Sequence, residues 1–418
     1  MFSFIRTVAG GNLLLTLLTL ISGVILARFL NANGRGELSS IITIVTFIST
    51  LSNLSIPDYL VKNCNKKITS KIFFIISIFT LTISFVIFLL GWYSNLYSKT
   101  TCLLVYFICF IPINFLSACY LSILQGQLRF TDLMRIKLLL PCLSSLLIVI
   151  LFFLNEINVF NVILVYLVAN AFVLVFSFLS VKKIIDYNMV SSDFIEVITN
   201  ALKIHPVSIL VLISVEIDKI LFVGTFDNIT IGNYFVAISL PLAMTNLIIS
   251  TMQTLLLPIY NEYNLDKNFN IVTRFLFLVV FPFYLLCAGV IGFAIKIMYG
   301  QQYFTAATIA PVVLLGLYFS LFRRVHAKTI RCLGLESIFL LSELLYVLLA
   351  IASFEFLRVM NMLTLGSAIL LLMFSSFIVF VFSFFMLFFN IKNIEFLSFF
   401  SYKKLISDIR QIKSKSLP

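Results

Sequence analysis

His205-Pro206-Val-Ser-Ile-Leu-Val-Leu-Ile-Ser-Val-Glu216-Ile-Asp218-Lys219-Ile-Leu-Phe-Val-Gly224-Thr-Phe226 decides how this chain is read. The stretch is long and apolar enough to cross a bilayer, yet it carries three ionisable residues near its middle. At about 1.5 Å per helical residue, Glu216 lies roughly 15 Å in from Pro206, half of a ~30 Å hydrocarbon core. A charge at that depth costs about 2.5–3.5 kcal/mol on insertion scales, so it must face protein or water. The stretch also stands at the middle of the sequence.

The surrounding composition agrees. The 418 residues are 61% hydrophobic, with 46 Phe. Soluble domains hold about 45–50% apolar residues, so the chain reads as an all-α polytopic membrane protein. Twelve spans are expected, at 10–29, 38–56, 72–92, 101–124, 138–154, 161–181, 206–226, 233–257, 275–294, 305–322, 337–353 and 362–389. The first of them also has the look of a signal peptide; with eleven spans following, it reads as a retained helix.

The net charge of +12 does not point to nucleic acid, because the Lys and Arg residues sit in short loops between apolar runs. Counted by side, 23 of them fall with the two termini and the loops on that side; four (Arg35, Lys99, Lys296 and Arg358) fall opposite. The bias places both termini in the cytoplasm. The outer loops have about ten residues or fewer, too short for an external catalytic domain. The seven cysteines include no C-x-x-C pair and there are two histidines, so no metal site or disulfide framework is expected.

The longest inner connection, 182–205, contains Asp193-Phe-Ile-Glu196, which has the form of a capping box. Phe194, Val197, Ile198, Ala201 and Leu202 follow on one helical face, as in an interfacial amphipathic helix. The expected organisation is a six-helix lobe at 1–190, this linker helix at 191–205, a second six-helix lobe at 206–389 and a basic amphipathic tail at 390–418. In the tail, Ile394, Leu397, Leu405, Ile409 and Ile412 stand among lysines, suited to lipid headgroups.

The two halves resemble each other. A shift of 196 residues lays Leu30–Gly36 on Phe226–Gly232. Spans two and eight end in Pro57-Asp58-Tyr59 and Pro258-Ile259-Tyr260. Each also carries a polar stripe: Ser39, Thr43, Thr46, Thr50 and Asn53 in one, Ser239, Asn246, Ser250 and Gln253 in the other. Such a stripe lines either helix contacts or a wet cavity. Paired bundles around a central site are a transporter plan.

Four segments carry a family resemblance. Ile25–Leu38, with Arg28, Gly34, Arg35 and Gly36, resembles the end of the first helix of Wzx-type O-antigen and polysaccharide flippases. Ile217-Asp218-Lys219 with Gly232-Asn-Tyr234-Phe-Val-Ala237 resembles their seventh and eighth helices. Ile297-Met-Tyr-Gly300-Gln-Gln-Tyr303 and Gln125-Gly126-Gln-Leu-Arg129-Phe130 resemble two of their loops. Asn31 departs from the family's usual glycine, although Asn also tolerates a left-handed backbone. The resemblance implies the fold of the multidrug and polysaccharide exporters, two pseudo-symmetric six-helix lobes in a V. It implies an undecaprenyl-diphosphate-linked oligosaccharide, such as an O-antigen unit of lipopolysaccharide, as cargo across the inner membrane. The polysaccharide polymerase machinery would then be a partner. It implies no enzymatic step and no cofactor, with H+ or Na+ coupling left open.

Within this frame Arg28, Arg35, Lys219, Asp218, Arg323 and Arg324 are candidates to contact cargo. A diphosphate calls for guanidinium or ammonium donors. Arg28 and Arg35 serve equally as anchors of a helix end, and Arg323 and Arg324 also fit the inner-side charge bias. Glu216 and Lys219 are i,i+3 on a helix, about 60° apart, and can pair; Asp218 points about 160° from Glu216. Glu343 either pairs with Lys328 or Arg331 or carries a proton. Thr43, Thr50, Asn53, Ser239, Asn246 and Ser250 are the candidate cavity stripe. Two other functions compete: a drug exporter of the same superfamily, which would want acidic groups for cationic cargo, and an intramembrane polymerase or acyltransferase. A polymerase would carry a long external loop, and an acyltransferase would need a histidine in the membrane.

Overall fold

The computed structural model describes residues 2–62, 70–93, 101–127, 129–182, 192–262, 265–332 and 336–390, and residues 399, 401, 402 and 404 of the tail. They form α1 (Phe2–Ser52), α2 (Ile56–Lys62), α3 (Ser70–Tyr93), α4 (Thr101–Gly126), α5 (Phe130–Phe153), α6 (Val159–Val181) and α7 (Ser192–Thr225). Then follow α8 (Asn228–Glu262), α9 (Leu265–Phe275), α10 (Phe281–Tyr299), α11 (Phe304–Cys332), α12 (Glu336–Val359) and α13 (Leu365–Asn390). A π-helical turn, Leu276–Val280, joins α9 to α10. No strand occurs among the described residues.

The chain is an all-α polytopic membrane protein of about twelve spans. Nine helical segments among the described residues are long and apolar enough to cross a membrane. The difference has physical causes. α1 contains two of the expected spans, separated at Asn31, whose φ of 58° breaks the helix. α7 carries Glu216, Asp218 and Lys219 within its apolar run. α3 contributes the shorter apolar run Ile78–Tyr93.

Local chemistry marks the ends. Asn158 caps α6 by accepting from the Asn161 N–H at 2.8 Å, and the Thr364 hydroxyl accepts from the Ser367 N–H before α13. Gly300 ends α10 at φ 96°, a conformation that a side chain would oppose. Many hydroxyls inside the spans bond a carbonyl one turn back, as Ser40 does to Gly36 and Thr46 to Ile42, so they cost little within apolar surroundings.

By contacts the described chain divides into two compact units, Phe2–Phe235 and Val236–Pro418, and the division falls inside α8. In the first unit, Leu26, Leu38, Ile41, Val45 and Ile48 of α1 pack on Phe107, Phe110 and Ile111 of α4 and on Val162 and Ile163 of α6. A second cluster joins Tyr59 and Leu60 of α2 to Phe115, Cys119 and Ile123 of α4 and to Val197 and Ala201 of α7. Since lipid tails are as apolar as these side chains, close packing rather than water exclusion holds such helices together. In the second unit Phe277, Phe319, Phe322, Phe380 and Phe384 interlock edge to face across the π-helical turn, α11 and α13.

The residues expected to form the linker helix continue into the next expected span. Residues 192–225 are one continuous helix that runs through Pro206. Its first turns bury Val197 and Ala201 in the core of the first unit, whereas Ile195 is 71% exposed. Neighbouring helices absorb the defect that a proline introduces, so a Pro does not have to end a membrane helix. The side chains of Asp193 and Glu196 of the capping box lie outside the described set, as do Ile394, Leu397, Leu405, Ile409 and Ile412 of the tail. Phe399 is described, and it is fully buried against Phe269 and Phe384. The Tyr402 hydroxyl donates to the Leu278 carbonyl of the π-helical turn at 2.8 Å.

One helix crossing reproduces the internal repeat. A Cβ on Gly36 would stand 1.8 Å from the Asn228 carbonyl oxygen, and one on Gly232 would stand 2.0 Å from the Ala32 carbonyl oxygen. The 196-residue shift carries Ala32 onto Asn228 and Gly36 onto Gly232, so the contact is reciprocal. Each partner is a small-x-x-x-glycine-like step that brings two backbones together.

Candidate functional site

The polar stripe of α1 has two parts. Ser39 and Thr43 are buried in helix contacts. Thr50 and Asn53, toward the end of the helix, line a cavity of about 320 Å³. Leu54 and Ser55 follow with φ of 50° and 55°, a left-handed turn that redirects the chain into α2. Non-glycine residues in this region store strain that the surrounding packing must hold.

The other wall of the cavity is α7. His205 Nδ1 lies 3.1 Å from the Ser55 hydroxyl, and one turn on the Ser208 hydroxyl donates to Asp58 Oδ2 at 3.1 Å. Asn114 of α4 closes a third side and donates to the Ser49 hydroxyl at 2.9 Å. The Asn53 Oδ1 atom is buried without a hydrogen-bond partner. None of the lining residues is Lys or Arg. The sequence pattern does not single out His205, Asp58, Asn114 or Ser208 as site residues. An Asn within the apolar run 101–124 was the available signal.

Further along α7, Lys219 donates to Glu216 Oε2 at 2.7 Å, as their i,i+3 spacing allows. Asp218 points elsewhere and accepts from the Tyr234 hydroxyl of α8, whose ring stacks on Phe222 at 4.2 Å. The three mid-span charges are therefore separated into an ion pair and a carboxylate–phenol pair. Arg28 is exposed on α1 before the break at Asn31. Arg35, after it, is half-buried, and its Nε is enclosed without a hydrogen-bond partner.

In the second unit, Ser239 shares a 2.8 Å hydrogen bond with the Tyr299 hydroxyl. Asn246 is exposed, and Ser250 donates to the Leu247 carbonyl. Arg323 is 3% exposed and pairs with Glu343 at 3.2 Å, with its guanidinium 4.7 Å from the Tyr346 ring centre. Glu343 thus has Arg323 as partner; the side chains of Lys328 and Arg331 lie outside the described set. Arg324 is half-buried. Among the described residues, no three His, Cys, Asp or Glu side chains gather as a metal site would require.

Nine apolar helical segments among the described residues, an internal repeat, ionisable groups held in pairs within the spans and a polar cavity define a polytopic membrane fold. The chain is similar to a lipid II flippase, MurJ, in an inward closed conformation, at 15% identity and TM-score 0.74 over 100% of this chain and 93% of that one. It is similar to an inward-facing multidrug resistance MATE family transporter of the MOP superfamily, at 14% identity and TM-score 0.63 over 90% and 94%. A MOP superfamily transporter from Pyrococcus furiosus matches at 15% identity and TM-score 0.58 over 93% and 95%. The fold is that of MOP superfamily transporters and flippases. No curated protein matches the sequence. The model of the polysaccharide biosynthesis protein family matches residues 25–308, and the chain belongs to that family.

Proposed function

We propose that this protein is a flippase. It carries an undecaprenyl-diphosphate-linked oligosaccharide, an O-antigen or related surface-polysaccharide unit, from the cytoplasmic to the periplasmic leaflet by alternating access. The observation that carries this reading is the polysaccharide biosynthesis family match on a transporter fold. The lysine and arginine bias supports the inner membrane, with both termini cytoplasmic.

The chemistry that must be done is desolvation, not bond making. Unaided crossing would drag a diphosphate and several sugars through hydrocarbon, at a cost of several kcal/mol for each unpaired polar group. Fixed cations and hydroxyls along a wet path remove most of that barrier. Lys219 and Arg323 have carboxylate partners that offset their charge. Arg35 keeps an enclosed Nε without an acceptor, so with Arg28 it is the proposed diphosphate contact.

Deleting the gene and following surface polysaccharide and its lipid-linked precursor tests the proposal. Surface polymer falls and precursor accumulates on the cytoplasmic leaflet. Normal export in a strain without a second flippase ends the reading. Restored drug resistance in a pump-deficient strain, with precursor export unchanged, would instead identify a drug exporter.

A further inference from the structure

We propose that the cavity between the end of α1, α2, α4 and the middle of α7 is a sugar subsite, holding one pyranose ring of the glycan cargo. The inference rests on the flippase reading and adds where the carbohydrate is recognised.

Size comes first. About 320 Å³ holds on the order of ten waters at ~30 Å³ each, far more than a bare ion fills. It suits a ring with its hydroxyls. Charge comes next. The lining contains the Asp58 carboxylate and the His205 imidazole but no Lys or Arg, so a diphosphate would find no cation there. A metal ion would want several strong ligands converging on one point, and among the described residues no three His, Cys, Asp or Glu side chains gather.

What the walls do offer is a mixture. Asn53 and Asn114 line the cavity, and a side-chain amide joins an acceptor oxygen to an N–H₂ donor, which suits neighbouring hydroxyls that each donate and accept. Asp58 spends one oxygen on the Ser208 hydroxyl and has acceptor capacity left. Asn53 is 8% exposed and its enclosed Oδ1 has no partner, a costly state that a ring hydroxyl relieves once the amide turns toward the cavity. Ile209 and Leu212 supply apolar wall for the C–H faces of a ring. The walls are also fixed: the Ser55–His205 and Asp58–Ser208 contacts join segments 150 residues apart in the chain. A ring would then meet groups already positioned, which lowers the entropy cost of binding.

The test uses the purified full-length protein in detergent and two probes. One is undecaprenyl diphosphate; the other is the glycan-bearing form of the same lipid, extracted from the deletion strain. The wild-type protein binds the glycan-bearing lipid about tenfold more tightly, the effect of one or two net hydrogen bonds. Asn53→Ala and Asn114→Ala each bring the ratio close to one and leave binding of the sugar-free lipid unchanged. Melting curves check that each is folded, and Asp58→Asn, which keeps the shape of the side chain, substitutes for either that is not. Equal binding of both lipids by the wild type overturns the subsite and leaves the flippase reading standing. Variants that keep the wild-type ratio, or lose both lipids equally while folded, also overturn it. A wild type that binds neither lipid overturns both.

Discussion

Replacing Gly36 with alanine adds one methyl group at the reciprocal crossing, and its cost can be worked from the backbone. The new Cβ would lie 1.8 Å from the Asn228 carbonyl oxygen, where real Cβ atoms keep at least 3.0 Å. The atom it meets is backbone, so no side chain can swing aside and the helices must part by more than an ångström. Overpacking of this kind costs about 1–3 kcal/mol, against which alanine regains up to ~1 kcal/mol of helix propensity over glycine. Gly23 provides the control, because it lies within α1 with nothing inside 4 Å of its built Cβ. Gly23→Ala is neutral or stabilising and Gly36→Ala destabilising, with a gap of about 1–3 kcal/mol between them. Gly232→Ala resembles Gly36→Ala. The double variant costs less than the sum of the singles, because the displacement forced by one methyl makes room for the other. Denaturant titration in detergent micelles, with the four variants side by side, reads these differences. Equal shifts for Gly23→Ala and Gly36→Ala would refute the reasoning, and so would strict additivity at the crossing.

Three further outcomes are expected. Glu343→Gln leaves the Arg323 charge buried without its carboxylate and lowers stability by about 3–5 kcal/mol, and adding Arg323→Met restores part of it; a double variant melting below Glu343→Gln would exclude the pairing account. Glu216→Gln likewise exposes Lys219, with a smaller loss because the pair is less enclosed, and Lys219→Met in the same chain recovers stability; no recovery in thermal melting counts against it. In a cysteine-free background, Asp227→Cys reacts with an impermeant thiol reagent added outside the cell and Lys182→Cys does not; the opposite pattern reverses the orientation.

The fold was largely written in local pattern. Apolar runs located the spans, and Asn31 stood out as a residue able to leave the helical region; its φ of 58° is where α1 breaks. The spacing of Glu216 and Lys219 placed them together because an i,i+3 relation is settled within one helix. What stayed hidden depends on the register between distant segments. Ser55 meets His205 and Glu343 meets Arg323, and no periodicity encodes which turn faces which. Pro206 was read as a start and is an interior residue, because tertiary packing decides whether a helix continues through proline. Phe399 of the tail is buried in the second unit, a long-range contact that no local pattern encodes.

The crossing at Gly36 and Gly232 is made of main chain alone. Contacts between side chains can be retuned by rotamer changes, so such interfaces slip and soften by degrees. Here the meeting parts are peptide oxygens and Cα atoms, which have no torsion with which to adapt. Side-chain adjustment therefore gives the joint little freedom to slide, and parting it gives up the close backbone contact. Movement of these segments must turn about the seated joint like a pivot or release it. Because each side of the joint repeats the other, release cannot begin on one side and leave the second intact.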